Sequence, residues 1–150
     1  MPRSAIPFLS VGGVSVIAGG LLSAATAPTP SYTASWAVAY IVLVAGVVQL
    51  VLGIGQAQLA PHQPSGRILA LECVTFNLAN VAVLAGTVIG AAWIVDIGAA
   101  LIVIALALFI WSVRGTGSAN RWMLYGFRAV VVIVLVTTPI GLVIAHLKGA

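Results

Sequence analysis

The stretch WAVAYIVLVAGVVQLVLGIGQAQL, residues 36–59, decides what kind of molecule this is. It carries no charged side chain and no proline, and it exceeds the roughly 20 apolar residues that an α-helix needs to cross hydrocarbon. Four further segments of the same character flank it, at residues 5–27, 68–91, 94–113 and 122–147. Of the 150 residues 62% are hydrophobic and 5% charged, with six Lys or Arg and two Asp or Glu. A soluble domain has about a quarter of its residues charged, and so few charges leave too much apolar surface for water to be the solvent. The expectation is an all-α membrane protein, a bundle of five transmembrane helices forming one integral domain over residues 1–150. Barrel strands would be shorter and would alternate apolar with polar residues, which these segments do not.

The breaks carry turn chemistry. APTPSYTAS and APHQPSGR contain prolines, and RGTGSANR is rich in Gly and Ser. The third and fourth segments meet at GAAWIVD, where Gly90 and Asp96 favour a tight hairpin over one very long helix. The first segment has a second reading: MPR, an apolar run and Ala25-Thr26-Ala27 resemble a secretory signal with its cleavage site. The length of the run and the proline after the site favour a retained span.

Five spans place Arg3, Arg67, Arg114 and Arg121 on one side and Lys148 on the other. The positive-inside rule then puts the N-terminus in the cytoplasm and the C-terminus outside. Trp36 and Trp93 fall at the outer interface, Trp111 and Trp122 at the inner one. An abundance of Ala, Val, Gly and Leu, with Arg favoured over Lys, points to a GC-rich bacterial genome, and the expected location is then the bacterial cytoplasmic membrane. The basic residues form no run that could follow a nucleic-acid backbone. Cys73 is the only cysteine, which excludes an intrachain disulfide. His62 and His146 belong to opposite faces, so no haem or multi-histidine metal centre is expected. No phosphate-binding, dinucleotide or nucleophile motif occurs, and no cofactor is expected. In helix count the chain resembles the tryptophan-rich sensory (translocator) proteins; it lacks their proline- and tryptophan-rich segment, so no function is carried over.

Chemistry must then reside in the few polar residues within the spans. Gly46, Gln49, Gly53 and Gln56 follow steps of three, four and three along one face of the second span. They make either a packing seam with amide cross-links or the wall of a polar site. Cys73, Asn77, Asn80 and Thr87 form a similar stripe on the third span, and Gln49 and Asn77 lie at matching depth, where a hydrogen bond can join them. Gly12-Gly13 and Gly19-Gly20 read as close packing of the first helix.

Glu72 is the unusual residue, because a carboxylate in lipid is costly and marks a functional hypothesis. Arg128 is its expected partner, with opposite charge and a depth within about 3 Å. The pair is either a structural ion pair, two groups snorkelling separately to the interface, or a gate beside a water-filled cavity. At the outer face Asp96 suits the N-cap of the fourth helix, and His146 and Lys148 suit the C-terminus of the fifth; an Asp96–His146 site is the alternative.

Two functions follow, neither of them enzymatic. One is handling of a small solute or ion around Gln49, Glu72, Asn77, Asn80 and Arg128. The other is an accessory or scaffold subunit of a larger membrane complex. A membrane-embedded enzyme is a third and remoter reading. The expected partners are the bilayer and either further copies of the chain or another membrane protein. A solute site requires Glu72 to face a solvent-connected cavity, whereas a scaffold buries it dry.

Overall fold

The computed structural model describes residues 3–115 and 121–147. These form an all-helical bundle in which five helices are long and apolar enough to cross a membrane. We label them α1 (Ile6–Thr26), α2 (Tyr32–Leu59), α3 (Gly66–Ile89), α4 (Ala92–Val113) and α5 (Arg121–Leu147). Local chemistry sets their ends. Ser31 and Ser65 cap α2 and α3, their hydroxyls accepting from the N–H groups of Ala34 and Ile68. These caps start α2 at Tyr32 and α3 at Gly66, ahead of the Trp36 and Ile68 that hydropathy alone indicated. The α3–α4 hairpin is as tight as expected: Gly90 ends α3 in the left-handed conformation (φ 73°), which only glycine adopts freely.

Two antiparallel hairpins, α1–α2 and α3–α4, pack through glycines. A Cβ on Gly46 would stand 2.6 Å from Val16 Cγ2, and one on Gly12 would stand 2.9 Å from Leu50 Cγ. Phe8 fills the space beside Gly53, and Val42 that beside Gly19. The partners pair in steady antiparallel register, each glycine receiving a larger side chain from the facing helix. In α3–α4, a Cβ on Gly98 or Gly86 would meet a main-chain nitrogen, of Val83 or Val95, at 2.8 Å. Small residues let backbones come this close, which is how helices associate where water does not drive them together. Half of the first-helix expectation therefore holds. Gly12 and Gly19 pack, whereas a Cβ on Gly13 or Gly20 would meet nothing within 4 Å.

Phe8 of α1, Phe76 of α3 and Phe109 of α4 join the hairpins. Their rings are fully buried, with centroids 5.3 Å (Phe8–Phe109) and 6.4 Å (Phe76–Phe109) apart. Phe8 integrates α1 into the core. Helix α5 lies outermost, presenting Phe127, Val131 and Val134 to the core, with Phe127 against Gly55. It runs on through Pro139, whose missing N–H cannot serve the Leu135 carbonyl. Beyond these contacts the surface is apolar: Val14, Ile17, Leu21, Val81 and Ile133 are each at least 60% exposed.

Helix α2 is not uniform. Ile41–Val48 is π-helical, with wider turns that advance by less than the roughly 100° per residue of an α-helix. Tyr40 and Gln49, nine positions apart, would lie on opposite faces of a regular α-helix. The wide turns bring both onto the side facing α3.

Arg3, Arg67, Arg114 and Arg121 sit at one end of the bundle, called here the arginine end; Asp96 and His146 mark the other. Lys148 lies outside the described residues.

Candidate functional site

Where the hairpins meet, α2 and α3 are linked by side chains in antiparallel order. Nearest the Asp96 end, the Tyr40 hydroxyl donates to Asn80 Oδ1 at 2.9 Å. In the middle, Gln49 Nε2 points at Cys73 Sγ at 3.9 Å. Near the arginine end, Gln56 Nε2 donates to both carboxylate oxygens of Glu72, at 2.8 and 2.7 Å. Ser112 of α4 donates to Glu72 Oε1 at 2.6 Å, so the carboxylate ties three helices together. Gln49, Gln56 and Glu72 are fully buried. The side-chain oxygens of Gln49 and Gln56 are buried with no hydrogen-bond partner.

This arrangement corrects the expected Glu72–Arg128 pair. Arg128 is exposed on α5, and among the described residues Glu72 forms no ion pair; its partners are the neutral donors of Gln56 and Ser112. The side of α5 that faces the core belongs to Phe127 and Val131. The expected Gln49–Asn77 bond is also absent. Asn77 Nδ2 turns back to its own helix, donating to Cys73 O at 2.7 Å, and it also reaches Cys73 Sγ at 3.6 Å. The two amides therefore share Cys73 without touching. Asn80 is almost completely buried, held by Tyr40 and by its bond to Phe76 O.

The five residues expected around one polar cavity thus divide among separate contacts, and Glu72 lines neither of the cavities described below. Ser112 and the functional direction of Gln56 were missed. Both lie close to the arginine end of their helices, and a search for neutral donors at the depth of Glu72 would have found them.

At the other end, Asp96 does not cap α4. Ala91 occupies that position without a side-chain bond, and Asp96 lies further along the helix. There Asp96 Oδ2 stands 3.6 Å from His146 Nε2, both side chains about half exposed. His146 Nδ1 is 3.0 Å from Leu142 O, an acceptor, so Nδ1 carries the hydrogen. Nε2 then faces the carboxylate favourably only when the imidazole is protonated. The structure therefore brings together the Asp96–His146 alternative. Among the described residues no three His, Cys, Asp or Glu side chains gather as a metal site.

A cavity of about 370 Å³ lies among α2, α3, α4 and α5 in the half of the bundle toward Asp96. Its apolar walls come from Val44, Val83, Val95, Ile102, Val134 and Leu142. Trp36 and Tyr40, stacked with centroids 5.3 Å apart, form the α2 side. Thr87, Thr137 and Thr138 bring hydroxyls to the wall. A shallower groove between α4 and α5 shares Ala99, Thr138 and Leu142 with it and reaches Asp96 and Pro139. Mostly apolar walls with a few placed polar groups are the usual make-up of a small-molecule site.

Compared with protein-family models, curated proteins and solved structures, the chain shows no match.

Proposed function

We propose that the chain is a multi-pass membrane protein that holds a small, mainly apolar solute in the cavity among α2–α5. The cavity carries the proposal: its volume of about 370 Å³ and its apolar walls with isolated hydroxyls match what a compact solute needs. Membrane residence is supported by the five long apolar helices and their exposed apolar faces. The arginines at one end support a cytoplasmic N-terminus and an external C-terminus. Placement in a bacterial cytoplasmic membrane rests on composition.

In this reading Glu72 is a structural pin. The solute site expected around it required a solvent-connected cavity, and its full burial against Gln56 and Ser112 favours a fixed cross-link. Solute handling therefore moves from the arginine end to the Asp96 end. The test is titration of the purified chain in lipid nanodiscs with toluene, compared with empty nanodiscs. Saturable uptake and a raised unfolding temperature are expected; uptake equal to that of lipid alone would refute the proposal.

An accessory role in a larger assembly is the second reading. It is favoured by Gly13 and Gly20, seven residues apart on α1, where a Cβ would meet nothing within 4 Å. Such a face admits another helix, from a second copy or a different membrane protein. A stoichiometric partner surviving purification in mild detergent supports it; a monomer of full activity counts against it.

A further inference from the structure

We infer that the cavity selects solutes that donate a hydrogen bond over solutes that can only accept one; this rests on the reading that the cavity holds a small apolar solute. Four of its hydroxyls have their single hydrogen already engaged. Thr87 donates to Val83 O at 2.8 Å, Thr137 to Ile133 O at 2.9 Å and Thr138 to Val134 O at 2.7 Å. A main-chain carbonyl cannot donate, so the direction of each bond is fixed.

Tyr40 is fixed by a second bond. Asn80 Nδ2 donates to Phe76 O at 2.9 Å, which settles the orientation of the amide. Asn80 therefore presents Oδ1 to Tyr40, and the phenol is the donor at 2.9 Å. Each hydroxyl oxygen keeps lone-pair capacity and no hydrogen. The wall thus offers four acceptors in apolar surroundings. Against these stand the Trp36 indole, which only donates, and the Tyr32 hydroxyl. A solute that brings its own N–H or O–H satisfies itself and the wall together. A solute that only accepts gains no hydrogen from those four hydroxyls. Beside them its oxygen stays unpaired, which is costly in an apolar site, and it must reach the Trp36 side of the wall to find a donor.

Para-cresol and anisole test this directly, because they are isomers of one formula and only the cresol donates. Each is equilibrated with the full chain in lipid nanodiscs, with empty nanodiscs subtracting uptake by lipid. The chains compared are the wild type, Tyr40→Phe and the double variant Thr137→Val/Thr138→Val, each checked for folding by its unfolding temperature. The valines keep the shape of the wall. The wild type is expected to bind para-cresol about fivefold more tightly than anisole, the size of one net hydrogen bond. The preference falls toward unity in at least one variant, with anisole affinity unchanged. Equal affinity of the two isomers for the wild type, or an undiminished preference in both variants, overturns the inference while leaving a solute-binding cavity in place. No saturable binding of either isomer overturns the cavity reading itself, and the inference with it.

Discussion

Gln56 meets Glu72 with one amide nitrogen against both carboxylate oxygens, while its own carbonyl oxygen is buried without a donor. The pair is therefore half complementary, which predicts opposite outcomes for two substitutions. In Glu72→Gln the new amide can donate to the unpaired Gln56 oxygen and still accept from Ser112. Stability should hold or rise by up to about 1 kcal/mol, the usual worth of such bonds between membrane helices. Gln56→Leu leaves the carboxylate with Ser112 alone and should lower stability by about 2 kcal/mol. Unfolding in detergent micelles measures both. Equal losses would show that the carboxylate itself, rather than its hydrogen bonding, holds the helices.

Arg128 should be independent of this cross-link. Its exposed position predicts that Arg128→Ala changes stability by less than about 0.5 kcal/mol. The effects of Arg128→Ala and Glu72→Gln should add. A coupling above about 1 kcal/mol in the double-mutant cycle would restore the ion pair that the structure lacks.

The glycines divide into two classes that alanine substitution separates. At Gly98 the added methyl would stand 2.8 Å from the Val83 nitrogen, a main-chain atom that cannot turn aside. Gly98→Ala should cost about 1–3 kcal/mol through overpacking. Gly13→Ala and Gly20→Ala meet open space. They should be neutral or stabilising by up to about 1 kcal/mol, since alanine has less freedom to lose on folding. If Gly13→Ala or Gly20→Ala instead disrupts function without lowering stability, the free α1 face is a contact for another helix.

Tyr40→Phe should cost roughly 0.5–1.5 kcal/mol, because Asn80 Oδ1 loses its donor. The double variant Tyr40→Phe/Asn80→Leu should recover part of that loss, since no orphaned oxygen remains. Failure of the second substitution to recover anything would mean that Asn80 acts through Phe76 O alone.

The five helices long and apolar enough to cross a membrane were legible because length and apolarity mark such helices almost without regard to packing. Gly90 gave the α3–α4 turn, but the single face expected for Gly46, Gln49, Gly53 and Gln56 divides: the glycines meet Val16 and Phe8 of α1, while the glutamines meet Cys73 and Glu72 of α3. The partner of Glu72 was not legible in the same way. Counting 1.5 Å per residue fixes depth but not direction around the axis, so Arg128, Gln56 and Ser112 were all admissible. Direction was harder still on α2. The π-helical segment Ile41–Val48 has no proline to announce it, yet it turns Tyr40 toward Asn80. The cavity depends on how α5 lies against α2–α4, which no local pattern encodes.

The central claim, that a small apolar solute occupies the cavity among α2–α5, is tested most directly by photolabelling. The chain in lipid nanodiscs is irradiated with a small diazirine-bearing aromatic probe, and the adducts are mapped by mass spectrometry. The account predicts adducts concentrated on Trp36, Tyr40, Thr87 and Thr138, diminished by excess toluene. Adducts spread over the outward-facing Val14, Ile17, Val81 and Ile133, and unaffected by toluene, would contradict it.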